Sequence, residues 1–159
     1  MIGGGDAKDF RDPDYKGMGT ELFIRWTQAS ALMPMMQFSY APWNLDENAV
    51  EICRKYAQLH EDLGSYIYQL ALQNGETGDP IARPLFYDHP DDEQAYLISD
   101  QFMVGERFLV APVLKEGAVE RDIYLPEGLW KDYWSSKVYK GKKRLENFPA
   151  PIDVLSTFY

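Results

Sequence analysis

Trp43 is the residue whose type and position best suit ligand binding. It follows Pro42 after a short apolar run, residues 35–39, which predicts a buried strand running into a loop. In a parallel barrel, this end of a strand carries the substrate chemistry, and an indole offers a flat apolar face to the C–H side of a sugar ring. The residues leave a second interpretation open, in which Trp43 packs beneath a neighbouring loop.

Two further groups of residues have the composition of ion or phosphate sites but not the spacing. Residues 3–5 (GGG) lack the spaced glycines and the following Lys-Ser/Thr pair of a phosphate-binding loop. The acidic side chains Asp88, Asp91, Asp92 and Glu93 lack the alternating ligands and central glycine of a calcium-binding EF-hand loop. A solvated turn is therefore the favoured interpretation of these acidic residues.

Cys53 is the one cysteine of the sequence, and it shares an apolar helix face with Tyr56. Core packing is favoured over nucleophilic chemistry for both side chains. A single cysteine excludes an internal disulfide. With only two histidines, His60 and His89, beside it, neither a zinc site nor another cofactor is expected. These residues provide no convincing catalytic pair.

The first half of the chain has helical periodicity on both sides of the apolar run. Apolar residues recur every three or four positions over residues 20–33, and Pro34 ends this pattern. A second pattern begins after Asp46, a predicted N-cap, and extends to residues 74–75, with Gly64 as the point where the helix bends or restarts. Helix, strand and helix in this order are typical of an α/β fold.

The second half has a different pattern. Short β-type runs at residues 108–113, 122–125 and 129–134 are separated by glycine and proline, which predicts an all-β unit. Residues 74–80 (NGETGDP) have the composition of a linker, and the predicted domain boundary lies there.

The charge balance limits the classes of partner. The 159 residues include 16 Lys and Arg against 25 Asp and Glu, which gives a formal net charge of −9. An acidic chain repels phosphate backbones and anionic lipid, so neither a nucleic acid nor a membrane surface is an expected partner. The first six residues lack a basic or apolar stretch of signal-peptide length, which favours a cytoplasmic location.

Seven motifs follow one another in a recognisable order along nearly the whole chain. They are residues 21–28 (ELFIRWTQ) with 32–36 (LMPMM), residues 66–68 (YIY), 77–86 (TGDPIARPLF), 100–105 (DQFMVG), 109–114 (LVAPVL) and 124–130 (YLPEGLW). Taken in this order, they resemble glycoside hydrolase family 31, which contains α-glucosidases and α-xylosidases. Each motif is modest alone, but their common order is strong evidence for homology.

The resemblance implies an α/β part followed by an all-β part. Residues 1–76 would be the last part of a (β/α)8 barrel, and residues 77–159 an incomplete antiparallel β-sandwich. Family members are retaining enzymes that use two aspartates, one as nucleophile and one as acid/base. The resemblance implies that both lie upstream of this chain, so no catalytic residue is expected within it.

The glycines at the start of the chain fit this alignment. Gly3 and Gly4 match the final glycines of the family's Gly-x-Asp-Ile-Gly-Gly-type motif, whose aspartate would precede Met1. Asp6 and Asp9 come after the motif and do not take the place of that aspartate.

The resemblance also implies a substrate-binding segment without the family's usual imidazole. Many members carry Arg-Asn-His on the last barrel strand, where this chain has Gln37, Phe38 and Ser39. A branch with Gln-Phe-Ser followed by Ala-Pro-Trp is similar to residues 37–43. Ser39 can donate one hydrogen bond but has no titrating ring. Gln37, Ser39 and Trp43 are therefore the predicted substrate-binding residues.

The leading hypothesis is part of a retaining α-glycosidase that acts on α-linked glucosides or xylosides. The substrate of the intact parent would be an oligosaccharide or glycoside, and the isolated chain would be inactive. One alternative is a carbohydrate-binding module with Trp43, Trp130 and Trp134 as sugar platforms, and another is a structural subunit. Because a partial barrel exposes sheet edges, self-association of the chain is also expected.

Overall fold

The computed structural model describes residues 1–4 and 18–159. Its first part is helical, and its second part consists mainly of antiparallel strands. The helices are α1 (Thr20–Ala31), α2 (Glu47–Asp62), α3 (Gly64–Thr77) and the short α4 (Leu85–Asp88), with 3-10 turns at Pro42–Asn44 and Glu93–Leu97. The strands are β1 (Ala82–Arg83), β2 (Phe102–Val104), β3 (Phe108–Ala111), β4 (Glu120–Leu125), β5 (Leu129–Lys131), β6 (Val138–Lys140), β7 (Lys143–Pro149) and β8 (Ser156–Phe158).

The helical predictions are confirmed in the main. Helix α1 ends at Ala31, two residues before the predicted end at Met33. The Asp46 carboxylate caps α2 by accepting the Ala49 N–H at 2.8 Å. The helix restarts at Gly64, as predicted. The linker prediction was wrong for residues 74–77, because α3 continues to Thr77 and ends at Gly78, whose φ of 81° suits glycine.

The predicted buried strand at residues 35–39 was wrong in extent and burial. Only Phe38 forms a bridge, parallel to Ile2, and Met35 is 80% exposed. Sheet pairing needs neighbours on both sides to bury such a segment, and among the described residues it has one neighbour. An apolar run therefore lies on the surface of this chain.

The described strands of the second part form three antiparallel sheets, one of which is the β5–β6 pair. Strands β1, β2, β3 and β8 pair in that order, and reciprocal main-chain bonds of 2.8 and 3.0 Å between Lys131 and Tyr159 join β5 to β8. Strand β4 pairs with β7 in a separate ladder. Leu109, Ile123 and Phe158 belong to the apolar cluster between these elements. The predicted strand runs correspond to β3, β4 and β5.

A second apolar cluster joins the helical part to the sheet. Ile24 of α1 and Tyr56 of α2 share this cluster with Val104, Phe108 and Leu155. All five side chains are buried. The two parts are therefore packed around common apolar side chains rather than around separate cores.

Polar side chains reinforce this contact by holding the backbone of residues 150–155, here termed the 150–155 loop. The Arg25 guanidinium donates to four carbonyl oxygens, those of Ala118 (3.2 Å), Ala150 (2.8 Å), Pro151 (3.0 Å) and Val154 (3.3 Å). Gln28 and Lys55 donate to the carbonyls of Ile152 and Asp153 at 2.7 Å each. The Tyr56 hydroxyl donates to Asp153 and accepts the Leu155 N–H.

Among the helices of the described residues, none has the length and apolar character needed to span a membrane.

Candidate functional site

The backbone around Phe38 determines which way the predicted binding residues face. Ile2 donates its N–H to the Gln37 carbonyl and accepts the Ser39 N–H, both at 2.8 Å. The Phe38 ring packs on Phe23 of α1, with 6.0 Å between ring centroids. Because successive side chains of an extended segment point to opposite sides, Gln37 and Ser39 face away from α1. Both are exposed.

Trp43 lies on a short 3-10 turn that follows this segment. Buried Pro42 occupies the first position of the turn, where its fixed φ is favourable, and the Leu45 N–H donates to the Pro42 carbonyl at 3.0 Å. The indole of Trp43 is 77% exposed, so it is not packed beneath a loop of the described residues. A short, rigid turn thus presents a flat aromatic face to the surroundings.

Trp43 and Ser39 line the same groove, and Gln37 does not. The groove has a volume of about 410 Å³ and lies between the Phe38 segment and one face of α2. Helix α2 contributes residues three or four positions apart, as expected for one helix face. The lining residues are Phe38, Ser39, Ala41, Pro42, Trp43, Val50, Cys53, Arg54 and Ala57. The structure therefore brings together two of the three predicted binding residues.

The chemistry of the groove is that of binding. Among the described residues, no carboxylate or imidazole lines it, and Arg54 is its only charged residue. Cys53 is 2% exposed, and burial raises the pKa of its thiol, while a hydrogen bond with Thr27 acts in the opposite direction. A thiol with a raised pKa is a poor nucleophile. The groove offers an aromatic face, a hydroxyl and a guanidinium, but no acid/base pair.

The other two tryptophans considered as sugar platforms have structural contacts instead. Trp130 is 7% exposed and donates its indole N–H to the Pro126 carbonyl at 2.9 Å. Trp134 donates to the Leu155 carbonyl at 2.7 Å, and its ring forms a T-shaped pair with that of Tyr56, with 5.9 Å between ring centroids. These contacts favour packing over the carbohydrate-binding-module hypothesis for both residues.

Two of the four acidic residues at positions 88–93, Asp88 and Asp92, are held by protein partners. Asp88 forms an ion pair with Arg83, with 2.8 Å between Arg83 Nε and Asp88 Oδ2. Asp92 accepts hydrogen bonds from the Gln94 N–H at 3.0 Å and from the Tyr124 hydroxyl at 2.6 Å. Within residues 1–4 and 18–159, no group of three acidic, histidine or cysteine side chains is arranged to hold a metal ion. Asp88 and Asp92 therefore make contacts within the protein that the interpretation as a solvated turn did not predict.

Gly3 has a packing role that the phosphate-loop comparison did not reveal. Its φ is +74°, and an added Cβ would lie 2.7 Å from the Tyr40 Cβ and 2.8 Å from the Phe23 ring. Both distances are below normal contact, so glycine is required where the chain approaches α1. Gly5, Asp6 and Asp9 lie outside the described residues.

Two family models match the chain in succession. The glycosyl hydrolases family 31 TIM-barrel domain matches residues 3–70, and the glycosyl hydrolase family 31 C-terminal domain matches residues 78–159. The chain belongs to glycoside hydrolase family 31. The sequence-based resemblance and the predicted fold class, barrel end followed by β-sandwich, are thereby confirmed.

Relatives within family 31 include enzymes of several specificities. The myogenesis-regulating glycosidase of Mus musculus is 40% identical over 99% of this chain and 22% of its own length. Alpha-glucosidase 2 of Bacillus thermoamyloliquefaciens is 36% identical over 83% of this chain and 18% of its own length. The chain therefore spans about a fifth of the length of these relatives.

Solved structures of family 31 members have the same fold. A GH31 alpha-xylosidase from a soil metagenome, complexed with xylose, has a TM-score of 0.84 and 31% identity, covering 99% of this chain and 26% of that one. A Flavobacterium johnsoniae GH31 dextranase complexed with isomaltotriose has a TM-score of 0.82 and 35% identity, covering 87% of this chain and 18% of that one.

Sequence patterns missed two residues with prominent positions. Arg54 was not singled out, because its place beside an open groove depends on how α2 packs. Arg25 interrupts an apolar helical pattern, and this charge was the available signal for a buried polar contact. Its acceptors are backbone carbonyls 93 to 129 positions away, which no side-chain pattern marks.

Proposed function

We propose that this chain supplies part of the substrate-binding surface of a retaining α-glycosidase that acts on α-linked glucosides or xylosides. The observation that supports this most is the exposed indole of Trp43, held by a rigid turn in a groove that also contains Ser39. Family membership supplies the reaction class. Relatives include an alpha-glucosidase and an alpha-xylosidase, and the substrate proposed here is correspondingly an oligosaccharide or glycoside.

The chemical step needs groups that the groove lacks. A retaining glycosidase uses two carboxyl groups about 5–5.5 Å apart, one as nucleophile and one as acid/base. No carboxylate of the described residues lines the groove. We therefore assign Trp43, Ser39 and Gln37 to substrate binding and expect the two catalytic aspartates outside residues 1–159, in a longer enzyme that carries this chain.

The test is Trp43→Ala in that longer enzyme. We expect kcat/KM on 4-nitrophenyl α-glucoside or α-xyloside to fall about tenfold, the effect of losing roughly 1.4 kcal/mol of aromatic contact. The free energy of unfolding should change by less than about 0.5 kcal/mol, because the indole is exposed. Trp130→Ala is the contrasting control, since it removes a buried ring and should destabilise by about 3–5 kcal/mol.

Two results would contradict the proposal. Unchanged kcat/KM in Trp43→Ala would remove the indole from the binding surface. Turnover by residues 1–159 alone, surviving repurification and lost on changing one carboxylate within them, would refute the assignment of catalysis to residues outside this chain.

We further propose that the isolated chain associates with itself through the open edge of the Phe38 segment. Ile2 pairs with one edge of this segment, and the opposite edge has no partner strand among the described residues. Light scattering after size-exclusion chromatography should show mass increasing with concentration. Met35→Lys should reduce association, and Leu129→Glu, which changes an exposed residue of β5, should not. A wild-type chain that stays monomeric at all concentrations would exclude self-association.

A further inference from the structure

The positive charge of the chain is concentrated in one stretch of the sandwich part. Residues 131–144 contain five lysines, one arginine and one acidic residue, which gives this stretch a formal charge of +5. The remaining residues contain 10 Lys and Arg against 24 Asp and Glu, a formal charge of −14. The one acidic side chain of the stretch, Asp132, is buried and accepts the N–H groups of Trp134 and Ser135 at 2.8 and 3.0 Å. The exposed charges of this stretch are therefore all positive.

Pairing of β5 with β6 places two of these lysines on one face with two apolar side chains. Leu129 lies opposite Lys140, and Lys131 lies opposite Val138. Directly opposite residues of an antiparallel ladder share a face, while the residues between them point to the other side. Leu129 is 75% exposed and Val138 is 58% exposed. These four residues, here termed the β5–β6 face, alternate a cation and an apolar side chain along each strand.

Two further lysines are held close to this ladder by the ring of Tyr139. The ammonium groups of Lys137 and Lys143 lie 5.1 and 5.7 Å from the centre of that ring. Within the described residues, neither of them, nor either lysine of the β5–β6 face, forms an ion pair. The other two cations of the stretch have exposed ion pairs of 3.9 and 3.6 Å, which contribute little to stability. The cations are thus available to an external anion.

Any surface that covers these cations must be negatively charged, whatever surrounds them in a longer protein. Packing several ammonium groups against an apolar or basic neighbour is unfavourable, because each group loses its water without gaining a partner. Permanent interfaces are also more apolar than transient ones, and lysine is depleted in interfaces generally. The charge of residues 131–144 therefore fits an acidic partner that binds reversibly.

We propose that the β5–β6 face docks an acidic segment of a partner protein, in which apolar side chains are interspersed among the carboxylates. The carboxylates contact Lys131 and Lys140, and the apolar side chains of the segment cover the two apolar residues of the face. This docking surface shares no residue with the Trp43 groove, so it does not depend on the proposed function.

Other anionic partners fit the face less well. A sulfated glycan or a single-stranded nucleic acid would satisfy the lysines but would leave Leu129 and Val138 in water. A lipid bilayer or a nucleic acid duplex is a broad anionic surface, which the −14 charge of the remaining residues repels. An extended peptide is narrow enough to follow two strands, and it supplies both kinds of contact.

The experiment measures binding of labelled peptides to residues 1–159 by fluorescence anisotropy. The probe is a dodecapeptide that repeats Glu-Glu-Val, and its matched control repeats Glu-Glu-Ser and has the same charge. We expect the Glu-Glu-Val peptide to bind about fivefold more tightly, because it also covers apolar surface. Both peptides should bind more weakly as salt is added, because the lysines are exposed.

Paired substitutions assign this binding to the β5–β6 face. The pair Lys131→Gln and Lys140→Gln should weaken both peptides about tenfold, because two contacts with carboxylates are lost. The pair Leu129→Gln and Val138→Thr should weaken only the Glu-Glu-Val peptide, to the level of the Glu-Glu-Ser peptide. Melting temperatures check that each variant is folded.

The matched control is the pair Arg54→Gln and Lys115→Gln. Both residues are exposed and lie outside residues 131–144, and the pair changes the net charge by the same amount. Binding of both peptides should be unchanged. A loss equal to that of the lysine pair on β5 and β6 would mean that net charge alone governs binding, which would overturn the proposal.

Two further results would also overturn it. Equal affinities of the two peptides for the wild type would show that the apolar side chains of the face take no part. A heparin oligosaccharide or a single-stranded oligonucleotide that binds as tightly as the Glu-Glu-Val peptide would show a general polyanion surface. Because none of these measurements involves turnover, each leaves the proposed function as it stands.

Discussion

Arg25 illustrates how one side chain can hold two parts of a protein together. It is 6% exposed, and burial lowers the pKa of its guanidinium, partly offset by Glu21, Tyr56 and Asp153. Its donors bind four carbonyls, of which that of Ala150 is buried and those of Ala118, Pro151 and Val154 are partly buried. The desolvation cost of the charge is thus balanced by several charge-assisted hydrogen bonds rather than by one ion pair.

Replacing this residue should therefore be costly. We expect Arg25→Met to lower the free energy of unfolding by about 3 kcal/mol, because it removes four charge-assisted hydrogen bonds, one of them to the buried Ala150 carbonyl, while preserving much of the side-chain volume. Urea unfolding measures the change. Arg54→Met, on an exposed part of α2, is the control and should change stability by less than about 0.5 kcal/mol. A loss below 1 kcal/mol in Arg25→Met would show that water replaces the guanidinium.

For single residues, the sequence predicted burial on a helix face better than it predicted the surroundings of exposed side chains. The burial of Cys53 and Tyr56 followed from their helix face. The exposure of Trp43 did not follow, because the same local pattern suits a packed or an open indole. Arg54 could not be recognised either, since the open side of α2 is determined by contacts distant in sequence.

Among the elements, the connection from α3 to α4 is built around one carboxylate. Asp79 accepts hydrogen bonds from the Tyr87 hydroxyl and, at 2.7 Å, from the Thr77 hydroxyl. Both hydrogen bonds hold the pKa of Asp79 below its ordinary value, and the bond from Tyr87 has the larger effect. The pKa of Tyr87 is raised in turn by its bond to Asp79.

The sign of this coupling gives a pH dependence. Since the folded-state pKa of Asp79 is lowered, its stabilising contribution is fully present above the ordinary carboxyl pKa and is lost as pH falls through the folded-state value. We expect Tyr87→Phe to raise the pKa of Asp79 towards its ordinary value, as followed by carboxyl ¹³C NMR. Tyr68→Phe, an exposed tyrosine of α3, should leave it unchanged. An unaltered titration in Tyr87→Phe would mean that Thr77 suffices.

The elements themselves were largely predictable, and the errors have physical causes. Periodicity located α1 and α2, and the Asp46 cap also located the start of α2, because those signals are local. Helix α3 passes Asn74 and Gly75 because Gly78 provides the left-handed cap, with its N–H bonded to the Asn74 carbonyl at 2.8 Å. The residue 35–39 segment was predicted as a buried strand from composition, whereas its burial depends on neighbouring strands.

For the whole molecule, the boundary between residues 76 and 77 stays a prediction of where the barrel part ends. It should not be a boundary of folding, because side chains of α1 and α2 share an apolar cluster with β2 and β3. We expect urea unfolding of residues 1–159 to give one transition, with coincident midpoints by far-ultraviolet circular dichroism and tryptophan fluorescence. Two separated midpoints would indicate independent folding units.

The polar contacts on the 150–155 loop have a consequence for sequence divergence. Arg25, Gln28, Lys55 and Tyr56 all bind main-chain atoms of this loop, and every amino acid supplies a carbonyl oxygen. Replacement of the loop's side chains therefore leaves these partners in place, whereas insertion or deletion of a single residue would displace the carbonyls from their donors. The contact between the sandwich part and the barrel part therefore constrains the length of the loop more than its composition.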